Sequence, residues 1–310
     1  MKKTELKKYM AAAAAAMLAL SLAACGGKAE ETEAATTAAA TTAAATQAEA
    51  DTSAAETAAE GEKSRLDEIL EAGVITMATS PDFAPYEFED ISSGKTEYAG
   101  ADIELGKYIA EKLGVELEIE AMDFNACQGA VSTGSVDMSI SGFAYTEERA
   151  QNVGLSDGYN KTPDGGQGII ILKERADELS TAEAFDGKIV AVQNASLQQQ
   201  LRNEQLSNST EEVVTNLNDG IMMLITGKID GLCSDLKVGQ QYCTNYPDLT
   251  MSDFMFEYES DGTRVLVPKG EDELLSAINE IIAEVNESGI YQEWYDESLE
   301  LATSLGLETN

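Results

Sequence analysis

Thr133-Gly134-Ser135-Val136-Asp137 recurs 93 residues later as Thr226-Gly227-Lys228-Ile229-Asp230. In each copy the glycine follows a stretch that reads as a short helix and precedes the start of a strand. Glycine ends a helix in the left-handed region without steric cost, so both copies read as a helix stop feeding a strand. The same alternation extends outward. Residues 74–78 (VITMA) read as a buried strand. Leu105, Ile109 and Leu113 recur at i, i+4 and stop at Gly114, which predicts a helix over 102–113. Val115, Leu117, Ile119 and Ala121 alternate with glutamates, the pattern of a half-buried strand. Around the second copy, strands are predicted at 188–193, 212–215 and 229–233. Helices are predicted at 196–206, 219–225 and 236–244, with closing helices at 272–286 and 291–299. Strands alternating with helices specify an α/β chain with mostly parallel sheets. Two copies of one unit predict two similar lobes. Ligands of open α/β sheets bind beyond the carboxyl ends of strands. Ser141 follows the first echoed strand and Asp235 the second, so each lobe offers a strand end to a shared cleft.

Composition removes several functions. Among 310 residues, 56 Asp and Glu stand against 20 Lys and Arg, a net charge of −36. Such a surface repels phosphate backbones, so nucleic acid is excluded as a partner. With no histidine, a Ser-His-Asp triad and any His-ligated metal site are impossible. Neither metal nor cofactor is expected. The hydrophobic share of 43% suffices for a globular core.

The first 25 residues read as a segment outside the fold. Lys2, Lys3, Lys7 and Lys8 form a basic start, an apolar run continues to Leu20, and small residues lead to Leu22-Ala23-Ala24-Cys25. This is the pattern of a secretory signal. Leu-Ala-Ala-Cys followed by glycine resembles the lipobox of bacterial lipoproteins, which implies cleavage before Cys25 and its acylation. Residues 26–63 are almost all Ala, Thr, Glu, Gly, Ser and Gln and cannot bury enough apolar surface to order themselves. As a flexible coil they span about 35 Å. The expectation is an extracytoplasmic body held to the membrane by lipid alone. Cys127, Cys233 and Cys243 remain, without C-x-x-C spacing. Burial as small hydrophobes is the ordinary outcome, and a Cys233–Cys243 bridge is a second option.

A free α-amino acid is a zwitterion, and a cleft that removes it from water must supply one cation and one anion. Arginine suits the carboxylate through its planar fork, and aspartate suits the ammonium. Arg149 and Asp235 sit after the two echoed strands, one in each expected lobe. Each candidate also has a plainer reading. Arg149 could be a surface ion pair, Asp235 could cap the helix that follows it, and Phe83, Phe124 and Phe143 could be core.

Residues 64–310 resemble the bacterial extracellular solute-binding proteins of the polar amino-acid class, which serve ABC importers. The resemblance rests on several segments in order. They are Phe83-Ala84-Pro85-Tyr86-Glu87, Gly100-Ala101-Asp102-Ile103-Glu104-Leu105 and Ser141-Gly142-Phe143-Ala144-Tyr145-Thr146-Glu147-Glu148-Arg149. Leu155-Ser156-Asp157-Gly158-Tyr159 and Val192-Gln193 with Ala195-Ser196-Leu197-Gln198 complete the set. The resemblance implies a periplasmic-binding-protein fold whose first lobe comprises 64–160 and 260–310 and whose second comprises 161–259, joined by two chain crossings. It implies that Arg149 clamps the ligand carboxylate with N–H groups around Ala144, Ser196 and Leu197, with Gln198 nearby. Asp235 takes the ammonium with the Ser141 or Gly142 carbonyl, and Phe83, Phe124 and Phe143 wall the side chain. Two positions depart from the pattern: Ala144 replaces a Ser or Thr, and Ala195 replaces a glycine. Relatives that bind basic amino acids carry an aspartate where Ser80 stands, so the resemblance implies a neutral ligand, apolar or aromatic. The expected partners are that amino acid and an ABC permease, and the expected state is a monomeric non-enzyme. Rival readings are a cyclohexadienyl-type dehydratase on the same fold and an amino-acid sensor for a signalling partner.

Overall fold

The computed structural model describes residues 63–161 and 165–305; the signal segment, Cys25 and the tether through residue 62 lie outside them. Helix α1 (Arg65–Ala72) is capped by Ser64, whose hydroxyl accepts the Asp67 N–H, and stops at Gly73 with φ 70°. Strand β1 (Val74–Thr79) follows at once. A small antiparallel sheet comes next, made of β2 (Asp82–Phe83), β3 (Glu87–Asp90) and β4 (Glu97–Ala99). Helix α2 (Ala101–Leu113) buries Leu105 and Ile109 of the face its spacing predicts, half-buries Leu113, and also buries Ile103; it leads into β5 (Glu116–Ala121). Then come α3 (Phe124–Ser132), β6 (Met138–Ser139), α4 (Glu147–Asn152) and β7 (Gly154–Leu155).

The second sheet draws on a continuous stretch of chain. It comprises β8 (Gln167–Leu172), β9 (Ile189–Gln193), α5 (Leu197–Gln205), β10 (Thr210–Val214), α6 (Leu217–Ile225), β11 (Gly231–Asp235), α7 (Leu236–Asn245) and β12 (Leu249–Met255). The chain then returns to the first sheet with β13 (Leu266–Val267) and ends in α8 (Asp272–Ser288) and α9 (Ile290–Ser304).

Both five-stranded sheets follow one plan. Their orders are β5-β1-β6-β13-β7 and β10-β9-β11-β8-β12. In each, the strand fourth in the row runs against the other four, β13 in the first sheet and β8 in the second. The reversed strands are those by which the chain enters after crossing between sheets, between Leu155 and Gln167 and again between Met255 and Leu266. The sheets are thus mostly parallel, with one reversal each, and the fold is the two-lobed α/β arrangement.

The echoed pentapeptides do equivalent work. Gly134 and Gly227 hold φ 71° and 69°, where an L side chain would be strained. Asp137 Oδ2 accepts the Thr76 N–H and hydroxyl, each at 2.7 Å, and Oδ1 accepts Arg65 Nε at 2.7 Å. Asp230 Oδ2 accepts the Ile189 N–H at 2.7 Å, and Oδ1 accepts Arg175 Nη1. Each aspartate fastens the strand that follows to the first parallel strand of its lobe, and an arginine neutralises it. This also explains why β11 opens at Gly231 rather than at the expected residue 229.

Candidate ligand-binding cleft

The cleft is lined from both sheets. Phe83, Phe124, Ser141, Gly142, Ala144 and Arg149 come from the first lobe, and Leu197, Gln198 and Asp235 from the second. Three expected residues, Ser80, Phe143 and Ser196, do not line it.

Arg149 rises from the first turn of α4, whose cap Thr146 accepts the Arg149 backbone N–H at 3.1 Å. Its guanidinium donates from Nε to Gln128 Oε1 at 2.9 Å, from Nη1 to the Ala144 carbonyl at 2.7 Å and from Nη2 to the Ala195 carbonyl at 2.8 Å. The rings of Phe124 and Phe143 each lie 5.4 Å from it. All three acceptors are neutral, and burial pulls the guanidinium down to about 10. A guanidinium has five N–H donors. Three are used, which leaves one on Nη1 and one on Nη2, the pair that grips a carboxylate.

Asp235 ends β11 and caps α7. Oδ1 accepts the N–H groups of Lys237 at 2.9 Å and Val238 at 3.4 Å, and Oδ2 accepts Gln167 Nε2 at 3.3 Å. It caps a helix and also lines the cleft. Burial raises its carboxyl above the ordinary range, while the two helix N–H groups and Lys237 pull it back.

The walls explain two sequence features. Gly142 has φ 58°, and a Cβ there would lie 3.0 Å from the Phe83 ring, so this wall residue and this glycine require each other. Ala195 has φ 57°. A position in the left-handed region suits glycine better than alanine, which accounts for the glycine that resembling chains carry there. The Ala195 carbonyl so presented accepts Arg149 Nη2 and also Gln128 Nε2 at 3.3 Å.

The three residues outside the cleft have other work. Phe143 is fully buried among Val131, Val136 and Cys127 and packs on Phe124 with ring centroids 4.8 Å apart. The core reading applies to it. Phe124 opens a helix rather than sitting in a loop, and only its exposed margin reaches the cleft. Ser196 caps α5 by accepting the Gln199 N–H at 3.1 Å. Ser80 is buried; its N–H donates to Ser141 Oγ at 3.1 Å and its hydroxyl to Asp82 Oδ1 at 2.9 Å. It faces a separate groove on the far side of Asp82. Ser80 thus stands behind Asp82, the neighbour that does line the cleft.

Asp82, Tyr86, Glu87, Gln167 and Gln193 line the cleft without having been expected there. Tyr86, Glu87 and Gln193 lie inside the motif segments and Asp82 directly before one, between Ser80 and Phe83, so a signal existed for them; Gln167 had none. Glu87 is fully buried and accepts the Ser141 hydroxyl at 2.7 Å. Burial, and then the neighbouring Asp102, hold its carboxyl well above the ordinary range. Asp102 in turn accepts the Gly142 N–H at 2.8 Å and the hydroxyls of Tyr159 and Tyr291 at 2.9 and 2.5 Å. The loop carrying Ser141 and Gly142 is therefore set by two buried carboxyls, Glu87 on the Ser141 hydroxyl and Asp102 on the Gly142 N–H.

Residues 75–300 match the model of the bacterial extracellular solute-binding proteins, family 3. The chain belongs to this family. As a family-3 protein it is similar to the arginine-binding extracellular protein ArtP of Bacillus subtilis, with 26% identity over 221 residues, 69% of this chain and 82% of that one. Its fold resembles that of the amino acid ABC transporter substrate-binding protein AbpA of Streptococcus pneumoniae, solved bound to L-arginine. There the TM-score is 0.72, with 30% identity and coverage of 76% of this chain and 98% of the other. Over a shorter stretch of 127 residues it is 30% identical to the cyclohexadienyl dehydratase of Pseudomonas aeruginosa, covering 41% of this chain and 45% of that one.

Proposed function

We propose that this family-3 protein captures one free α-amino acid and presents it to the permease of an ABC importer. The observation that carries the reading is the pair of opposite charges across the cleft. Arg149 keeps two N–H groups for a carboxylate in one lobe, and Asp235 offers a carboxylate to an ammonium from the other. A zwitterion that bridges them binds the closed form better than the open one and shifts the population toward closure. The names of the relatives, all amino-acid binders where the match is long, support the same class.

The ligand side chain is neutral in this reading. Phe83, Tyr86 and Phe124 supply apolar wall, burial disfavours a charge on Glu87, and the Asp82 carboxylate is already met by three donors. A second reading, a cationic amino acid, is favoured by the presence of Asp82 in the wall and by the arginine named for both relatives. A thermal-shift screen of the twenty amino acids followed by competition calorimetry tests both. A ligand at 100 times its Kd should add about 2.7 kcal/mol. No stabilisation by any amino acid would overturn the assignment, and arginine or lysine outcompeting every neutral amino acid would decide for the second reading. No turnover of arogenate or prephenate is expected.

Anchoring through lipid at Cys25, with the Ala/Thr/Glu-rich stretch as tether, completes the proposal and places the monomer outside the cytoplasm. Cys25→Ala should move the protein from the membrane pellet to the soluble fraction with ligand affinity unchanged. Retention of the variant through high-salt washes would refute the anchor.

A further inference from the structure

Asp82 lies in the cleft wall of the first lobe, yet its bonds run to the second. Oδ2 accepts the Leu217 N–H at 2.7 Å and Gln193 Nε2 at 3.2 Å. The Tyr242 hydroxyl lies 3.0 Å from the Asp82 carbonyl and 2.8 Å from Asn218 Oδ1; with one proton, it donates to one of them at a time. Leu217 is the first residue of α6, Gln193 the last of β9, and Tyr242 belongs to α7, all elements of the second sheet's lobe. The first N–H groups of a helix have no partner within it and carry its positive end. A carboxylate seated on one is held by a charge-assisted bond. On its own lobe Asp82 has the Ser80 hydroxyl, at 2.9 Å.

We propose that Asp82 is the latch of the cleft, a positioning residue whose carboxylate and carbonyl hold the two lobes closed, and not the partner of a ligand charge. The inference rests on the reading of the cleft as an amino-acid site and deepens it. The bonds to Leu217, Gln193 and Tyr242 each join one lobe to the other, so rotation of the lobes apart breaks them together. A latch acts on every ligand alike, because it stabilises the closed form whatever is enclosed. A ligand partner acts on one side-chain class. The two roles therefore differ in signature: uniform loss of affinity against altered ranking.

Tyr242 provides the clean probe, since it touches Asp82 but does not line the ligand cleft. In the full chain, Tyr242→Phe should weaken every bound amino acid by about threefold and Asp82→Ala by about tenfold or more, mostly through faster dissociation. The order of preference among amino acids should not change. Amide exchange at Leu217, measured with and without amino acid, should be faster in both variants than in the wild type. Loss of affinity for cationic amino acids alone in Asp82→Ala would make Asp82 a ligand partner and overturn the proposal. Unchanged affinity and unchanged dissociation in Tyr242→Phe would overturn it as well. So would Leu217 exchange that is identical in wild type and Asp82→Ala under both conditions. If the wild type binds no amino acid at all, the amino-acid reading fails, while Leu217 exchange in the free protein still decides the latch.

Discussion

The two lobes share a strand order and a pentapeptide, yet they prepare opposite charges by opposite means. In the first lobe, α4 begins after a loop that follows β6, and Arg149 is threaded back into a niche of carbonyls and rings. In the second, β11 runs straight into α7, and the aspartate at the junction is held by the helix it caps. Among the described residues the cation gets neutral acceptors and no ion pair; the anion gets backbone donors. Each charge is thereby solvated by its own surroundings without being neutralised, which leaves both able to attract a ligand. One repeated backbone unit can thus deliver either sign, and the segment after the strand decides which.

The comparison is tested first at the charges themselves. Arg149→Ala and Asp235→Asn should each cost about 2–5 kcal/mol of binding, because each leaves an opposite ligand charge buried and unpaired. Calorimetry giving wild-type affinity in either variant would remove that residue from the site. The shared unit is tested next. Asp137→Asn and Asp230→Asn should each lower stability by about 1.5–3 kcal/mol, the usual contribution of a charge-assisted bond, with ligand affinity kept. Urea unfolding that shows a cost in one lobe and none in the other would break the equivalence. The difference between the lobes is sharpened by Asp235→Ala beside Asp235→Asn. Asparagine still caps α7, so only the alanine variant should lose about 1 kcal/mol of stability.

The smallest effect concerns pH. The Glu87 carboxyl is raised in the folded state by burial. The native protein therefore keeps a proton that the unfolded chain releases near its ordinary pKa of about 4.3. Stability from this group is complete below that pH and is lost as pH rises toward the folded value. Glu87→Gln should gain on the wild type in thermal unfolding as pH rises above that ordinary value, and parallel curves would show that the Glu87 carboxyl is not raised in the fold. The raised carboxyls of Asp82, Asp102 and Asp235 work in the same direction, so a residual slope remains.

The sequence made the periodic elements legible. α2, β5 and α5 were readable because their more buried positions repeat at the spacing of a helix or a strand. β8 was not, since Ile169, Ile170 and Ile171 are all fully buried and a run with both faces covered shows no period. β2, β3 and β4 were too short to register, and β13 exists only through pairing with strands more than a hundred residues earlier. In the site, Arg149 and Asp235 stood out by motif and by the zwitterion argument. Ser80 and Phe143 did not keep their expected places. A neighbour along a strand or turn points to another face, and motif spacing does not say which. The bonding of Asp82 was invisible for the opposite reason: its partners, Gln193, Leu217 and Tyr242, come from a different lobe.

The reversed strand in each sheet also fixes an order of assembly. The second sheet is drawn from one unbroken stretch, so every partner it needs has been synthesised once Met255 is made. The first sheet is different, because β13 must slot between β6 and β7 rather than add to an edge. Until Leu266 and Val267 leave the ribosome, β6 and β7 have no common neighbour. The amino-terminal lobe therefore waits, incomplete, while the lobe inserted within it finishes. Under the export proposed from the signal segment, that delay would favour the unfolded form during passage and place the closing of the sheet after it.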